Sequence, residues 1–436
     1  MVQKRKTTSL FVVCLILGLS LGTATVSAVD TTDTEEINYA VSISKDTTTT
    51  SVHTSDGQLI YEGNNDVEAI KAAVNAVDEG IILFNSGTYM VSSAIELKSN
   101  TELVGSDAVL KGYSIFNIKN ANNVTVRGFE FSNPDQSYLP VAGGIGLIMF
   151  ENSNNCLIEG NTFTNFRSYG VYLDVSSPSQ QNDQITIRDN EFLYFGYCGV
   201  MIGKQSSNVY VDNNLFKDIN TKKINVNSYG VAVAKGSSAY EYSENIYIRK
   251  NTIENNPVWE GIDSHGSRNI FIEDNRITDV KIPIAVSHST SDGNYPETLH
   301  GVKITGNYIQ GYTNGQRQDS GIYVIGGHGG TVLKPISRVL ISGNTIRDVN
   351  NWLVADDGAI VLQSVERAVV TNNDISGVGG TGINLENTDN IIVRSNSIAN
   401  MKPISGATRG LEIISSGSNL VFENNNFDST VQVPGV

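Results

Sequence analysis

Ile246-Tyr-Ile-Arg-Lys-Asn251-Thr-Ile253, followed 24 residues later by Ile270-Phe-Ile-Glu-Asp-Asn275-Arg-Ile277, is the stretch that decides the fold. Its pattern is apolar, any, apolar, any, any, Asn, any, apolar. The same pattern reads Ile185-Thr-Ile-Arg-Asp-Asn190-Glu-Phe192 before it, and Val302-Lys-Ile-Thr-Gly-Asn307-Tyr-Ile309 and Ile391-Ile-Val-Arg-Ser-Asn396-Ser-Ile398 after it. The asparagines stand at 161, 190, 214, 251, 275, 307, 344, 373, 396 and 425. A repeat of a few tens of residues means a stacked array. The longer spacings contain Gly, Ser, Pro and Asn-rich inserts, which read as loops. Between the asparagines runs a second segment that opens on glycine, as in Gly170-Val-Tyr-Leu-Asp174, Gly199-Val-Met-Ile-Gly203, Gly230-Val-Ala-Val-Ala234 and Gly261-Ile-Asp-Ser-His265. It alternates with period two, the strand signature. The unit is therefore two or three short strands joined by sharp turns, and the chain is all-β, a parallel solenoid of about 10–12 coils. The asparagine belongs at a bend, where stacked side-chain amides form a hydrogen-bonded ladder and serve no ligand.

Farther upstream, Asn65-Asp-Val-Glu-Ala-Ile-Lys-Ala-Ala-Val74 places Val67, Ile70, Ala73, Val74 and Val77 on one helical face. It precedes Gly80-Ile-Ile-Leu-Phe84, Gly87-Thr-Tyr89 and Ser99-Asn-Thr-Glu-Leu-Val-Gly105. Over roughly residues 60–430 this chain resembles the right-handed parallel β-helix of the pectin-lyase-like superfamily. The resemblance implies that the helix caps the open end of a single-stranded right-handed parallel β-helix. A solenoid needs such a cap to avoid an open strand edge.

Lys4-Arg5-Lys6, the apolar run Leu10 to Leu21 and Val26-Ser27-Ala28 form a charged region, an apolar region and a small-residue cleavage site. The expected organisation is a signal peptide over 1–28, a Thr/Asp-rich lead over 29–58 and the β-helix domain over 59–436. The expected address is secreted or cell-surface, with no membrane partner after cleavage. The formal charge is −15, and losing the three positives of the signal takes it to −18. That charge argues against nucleic acid as a partner. An anionic polysaccharide would need a local cluster of Lys or Arg. Cys156 and Cys198 occupy different repeat positions and read as buried free thiols.

Aligning the strands on glycine as position zero puts positions one and three in the core and two and four outward. The second-position row then reads Tyr172, Met201, Ala232, Asp263, Ala285, Tyr323, Ile360, Asn384, Glu412; the fourth-position row reads Asp174, Gly203, Ala234, His265, Ser287, Ile325, Leu362, Glu386, Ile414. One coil stands out: Asp263 and His265 lie side by side, preceded by Trp259 and Glu260 and flanked by small residues. Lys204, Lys235 and His288 fall just past position four, and Tyr172 and Asp174 lie toward the N-terminus. A groove holding Asp, His, Lys and aromatics can take an acidic proton from beside a carboxylate and stabilise the anion formed. Trp259, Tyr172, Tyr229 and Tyr323 are candidates for stacking on sugars.

Glu260-Gly-Ile-Asp263-Ser-His265 is similar to the Tyr-Gly-Phe/Ile-Asp-Pro-His motif of mannuronan C5-epimerases, with Glu260 in place of Tyr and Ser264 in place of Pro. The resemblance implies His265 as base or acid, Asp263 as its charge partner, Lys235 as a carboxylate neutraliser and Glu260 as a further catalytic group. Trp259, Tyr172, Asp174, Lys204, His288 and Tyr323 would bind substrate. Lyases of the superfamily often use calcium, and Asp174, Asp263 and Glu260 are carboxylates suited to a hard cation. The expected function is a secreted lyase or C5-epimerase acting on a uronic-acid-containing polysaccharide. Two alternatives stand beside it. One is a glycoside hydrolase on the same fold, using Asp356, Asp357 or Glu386. The other is a non-catalytic glycan-binding surface protein.

Overall fold

The computed structural model describes residues 37–134, 145–221, 227–234, 239–288, 299–312, 318–326, 335–350, 358–403, 408–414 and 418–428. The signal segment, Lys235, Asp356 and Asp357 lie outside the described residues. Clustering of the chain separates residues 1–38 from a main body of 39–436, and the fold is that of the main body.

Each full coil carries three short strands. One coil runs Tyr169–Asp174, Asn182–Arg188, Glu191–Leu193, and the next runs Cys198–Ile202, Ser206–Asp212, Leu215–Lys217. The pairing is parallel and in register, Tyr169 on Cys198, Asn182 on Ser206 and Glu191 on Leu215. Every residue thus sits over its repeat equivalent, and three parallel sheets run the length of the stack. The antiparallel pairs come at the start: Val41–Asp46 with Thr49–Thr54, and Thr49–Thr54 with Leu59–Gly63. The first of these strands then joins the stack by lying parallel to Gly80–Phe84.

Inside, the register stacks like on like. Phe131, Phe163, Phe192 and Phe216 form one column, with ring centroids 4.9, 4.7 and 4.8 Å apart. That spacing is the strand separation itself. The column continues through Ile253, Ile277, Ile309 and Ile346, all fully buried. Beside it runs the amide ladder expected from the sequence. Each ladder asparagine donates its Nδ2–H and its backbone N–H to Oδ1 of the next, as from Asn190 to Asn214 and from Asn214 to Asn251. The ladder runs unbroken from Asn161 to Asn425. Nδ2 also donates to a carbonyl one coil back, as from Asn251 to Val211 at 2.8 Å. The residue before each asparagine takes a left-handed turn, at φ 56° for Asp189 and Asn213 and 55° for Lys250.

The helix Asp66–Ala76 buries Val67, Ile70, Ala73 and Val74, as its pattern required, and Val77 follows them into the core. Asn65 caps it, its side chain accepting from the N–H groups of Val67 and Glu68. Buried Asp66 is held by Lys45, Thr50 and the Met90 N–H, which ties the helix to the first strands.

Two expectations need correction. Gly358 is not a position-zero glycine. Ile360 pairs with Ile322 and Ile383, so Ala359 takes that place; Val361 replaces Ile360 in the second row and Gln363 replaces Leu362 in the fourth. The second row is also not open to solvent at mid-helix. Met201, Ala232, Asp263 and Ala285 are all buried. A second apolar cluster of Tyr169, Cys198, Met201, Tyr229 and Ala232, with Tyr172, Tyr197 and Trp259 against it, covers the outside of this sheet. Cys156 and Cys198 are free and buried, as expected.

The ladder predicts an asymmetry. Replacing Asn251 by Ala removes the acceptor of the Asn214 backbone N–H and of one Asn214 Nδ2–H, and a donor to the Val211 carbonyl, in a dry interior, at a cost of about 1–3 kcal/mol for each buried group left unmet. Asn425, at the half-exposed end, should cost clearly less when replaced the same way. Urea midpoints of the two variants check the order.

Candidate functional site

The site lies where the chain passes from one sheet to the next. In Thr252–His265, Asn256 pairs with Val280, but the next pair is Glu260 with Ile282. The chain therefore bulges over Pro257, Val258 and Trp259. Asn256 staples the bulge: its Oδ1 accepts from the N–H groups of Val258 and Trp259, both at 3.3 Å, and its Nδ2 donates to the carbonyls of Glu260 and Ser228, both at 2.9 Å. After the bulge the chain turns at Gly261. A Cβ there would lie 2.7 Å from the Pro283 carbonyl and 3.3 Å from Val280, so this position points inward and excludes a side chain. Strict alternation would put Glu260 and Asp263 on opposite faces. The turn puts Glu260, Asp263 and His265 on the same face, with one ligating atom from each within 4.8 Å of the others.

His265 Nε2 lies 2.9 Å from Asp263 Oδ2. Its Nδ1 lies 2.6 Å from the Ser287 hydroxyl, one coil on. Asp263 is 1 % exposed, whereas about a third of the His265 side chain reaches solvent. In the neutral ring Nε2–H donates to Asp263 and Nδ1 accepts from Ser287; in the charged ring both nitrogens donate. The negative charge of Asp263 raises the His265 pKa above its usual value, against the pull of burial. Burial and the Asp263 charge push Glu260 up to about 10, opposed by a hydrogen bond from the Trp259 side chain and by Lys281. This direction favours the protonated carboxylic acid. Burial first, and then the charges of Asp263 and Glu260, hold the Tyr229 phenol far above its normal range. Burial, with Cys198 and Asp263, takes Tyr197 to about 12. Of these groups only the imidazole of His265 has an ordinary range near pH 7, and Glu260 is held toward its protonated form. Among the described residues, Glu260 Oε2 and Asp263 Oδ1 are buried without hydrogen-bond partners, a costly state that suits a place where another group docks.

Two carboxylates and one imidazole fit a divalent cation of the transition series better than calcium, which prefers an all-oxygen shell. The ligand set suggested by sequence does not form. Asp174 sits three strand spacings from Asp263 and pairs with Lys204 at 3.2 Å. The other candidates sort as follows. Trp259 is half-buried, with Lys281 Nζ 4.5 Å from its ring centroid. Tyr172 stacks on Tyr169 at 4.5 Å. Tyr323 is half-buried and pairs with Ala285, one coil beyond Asp263. Lys204 lies with Asp174, away from His265. His288 is buried, contrary to its expected place in a groove, because it follows the outward Ser287 and turns the other way. Sequence reasoning passed over Ser287 and Lys281. Ser287 was legible, since it shares the fourth-position row with His265; Lys281 was not, because its place depends on the bulge.

The family model of the right handed beta helix region matches residues 57–246 and 286–434. The chain belongs to this family. It is a right-handed parallel β-helix. No curated protein sequence matches it. Among solved structures it is similar to PfbA, a surface adhesin of Streptococcus pneumoniae, with a TM-score of 0.63 and 18 % identity over 80 % of this chain and 88 % of that one. It is similar to the catalytic unit of a thermostable GH87 alpha-1,3-glucanase from Streptomyces thermodiastaticus, with a TM-score of 0.63 and 14 % identity over 86 % and 68 %. It is also similar to a PL6 alginate lyase in complex with trisaccharide, with a TM-score of 0.55 and 13 % identity over 84 % and 83 %. At these identities the likeness shows the fold. Among the described residues no helix is long and apolar enough to cross a membrane.

The Asp263–His265 pair makes a pH prediction. Because the folded-state pKa of His265 is raised, the pair's stabilisation is complete below about pH 6.5, the ordinary histidine value, and is lost as pH rises through the folded pKa. In Asp263→Asn the imidazole should titrate lower than in the native protein, and the pH dependence of stability in this window should flatten. NMR titration of the ring protons, beside thermal melts, measures both.

Proposed function

We propose that this protein is an extracellular polysaccharide-acting enzyme that moves a proton at a sugar ring carbon next to a carboxylate, as a lyase or C5-epimerase does. The observation that carries the reading is the cluster itself, a buried carboxylic acid (Glu260) beside an ion-paired imidazole (His265) that reaches solvent. Removing a proton from beside a carboxylate needs a base and a group that stabilises the enolate-like anion. His265 is the base. Asp263 holds its ring and stabilises the imidazolium that forms. Glu260, in its favoured protonated form, is the neutral acid. It donates a hydrogen bond to the growing negative charge, as protonated carboxyl groups in apolar sites do. Once the anion forms, Glu260 can release its proton to the leaving glycosidic oxygen, giving a new C=C, or return one to the ring carbon, giving the epimer.

The neighbouring structures support a glycan as the partner, since one is an alginate lyase seen with a trisaccharide and another a glucanase. The adhesin among them keeps the binding-only alternative in the experiment. A hydrolase built on the same residues is disfavoured, because Asp263 is sequestered by His265 and closed to a sugar's anomeric carbon. Farther along, Glu386 accepts from Gln363, and Glu412 from Arg409 and Thr381, so these acids are engaged with their neighbours.

The test is turnover of a panel of polyuronates and mixed glycans by the full chain, followed by ultraviolet absorbance, deuterium uptake at C5 and reducing ends. Absorbance or deuterium uptake is expected, with His265→Ala and Glu260→Gln each lowering the rate by about 10²–10⁴-fold. Reducing ends with neither signal would make the enzyme a hydrolase. Binding with no turnover would leave an adhesin-like protein.

A further inference from the structure

The outward rows that hold Asp263 and His265 do not stop at the site. The second-position row continues toward the N-terminus through Met201, Tyr172, Met149, Asn117 and Glu96, and the fourth-position row through Asp174, Glu151 and Lys119. Between His265 and Asp174 the fourth row carries only Ala234 and Gly203, so no side chain larger than a methyl blocks the way along that row. Beyond them lies a cavity of ≈ 350 Å³, walled by Glu96, Lys119, Glu151, Asp174, Lys204 and Tyr240. It is three strand spacings from His265, about 14 Å, and on the same face.

Its charges are already matched. Lys119 pairs with Glu151 at 3.0 Å and Lys204 with Asp174 at 3.2 Å. Lys204 Nζ also lies 4.9 Å from the centroid of the Tyr240 ring. Glu96 makes no ion pair among the described residues, so the cavity holds three carboxylates and two ammonium groups. A uronate entering it would bring a fourth negative charge to ammonium groups that already have partners. A neutral sugar meets a different surface: carboxylate and ammonium edges for its hydroxyls, the Asn117 Oδ1 acceptor, which has no partner among the described residues, and an aromatic wall.

We propose that this cavity is a distal subsite for an uncharged pyranose of the same glycan whose reacting uronate lies over Glu260, Asp263 and His265. The substrate is then a mixed polymer of neutral and uronic sugars, not a pure polyuronate. The inference deepens the reading of the catalytic site and rests on it.

The test uses calorimetry on the full chain carrying His265→Ala, with His265→Gln as a second background, and three probe series of equal length: neutral gluco-oligosaccharides, oligouronates, and alternating hexose–hexuronate oligosaccharides. Turnover of each series by the native chain is measured in parallel. The alternating series should bind at least ten-fold more tightly than the oligouronates. Tyr240→Ala should abolish that preference. Glu96→Lys and Asp174→Asn, which tip the cavity positive, should raise oligouronate affinity several-fold. Oligouronates binding as tightly as the alternating series, absence of binding by all three, or indifference to Tyr240→Ala and Glu96→Lys would overturn the subsite. Turnover without the preference sinks the subsite and leaves the catalytic reading intact. The preference without turnover sinks the catalytic reading and leaves the cavity as a glycan site.

Discussion

The in-register amide ladder is the constraint on which everything else depends. Each asparagine takes its hydrogen bonds from the coil on one side and gives them to the coil on the other, so no coil can rotate or slip without breaking buried bonds. Fixing register at one bend fixes it along all three sheets. The phenylalanine column, the isoleucine column beyond it and the outward rows are then consequences of repeat position. A slip of one residue would exchange every inward side chain for an outward one. A solenoid with little core per coil therefore still has a unique arrangement.

Within that order, chemistry needs a local exception. A regular strand offers only alternate residues to one face, about 7 Å apart along the chain. Three ionisable groups on one coil cannot converge that way. The corner that each coil makes at its position-zero residue breaks the alternation, as it does between Tyr169 and Tyr172, and at Gly261 the same corner brings Glu260 beside Asp263. The aromatic cluster then removes water from around them. Burial and the Asp263 charge favour the protonated form of Glu260, and the Asp263 charge raises the proton affinity of His265 against the effect of burial.

Much of this was legible in the sequence. The asparagine spacing, the glycine-led segments and the helix over Asp66–Ala76 all rest on local patterns whose physical meaning does not depend on distant residues. Asp263 and His265 could be singled out for the same reason, since they share a strand. What the pattern could not supply came from departures from the repeat. Counting from Gly358 misplaced a strand by one, because Ala359 does the work of a glycine there. Treating the second-position row as solvent-facing missed the second layer of tyrosines, whose packing is set by coils far apart in sequence. Asp174 was grouped with Asp263 and Glu260 as a possible cation ligand, although counting rungs places it three spacings away, paired with Lys204.

The stapled bulge also bears on how such a site can change. Every other residue near the site is bound to a rung, and its position is dictated by the coils above and below. The backbone of Pro257, Val258 and Trp259 lies between two paired residues and is stapled by Asn256, while the Trp259 ring packs against Lys281 and the aromatic cluster. Their number can change so long as Asn256 and Glu260 keep their rungs on Val280 and Ile282. Glu260, like Asp263 and His265, is placed by the stack, and what such a change would remodel is the aromatic wall beside the three.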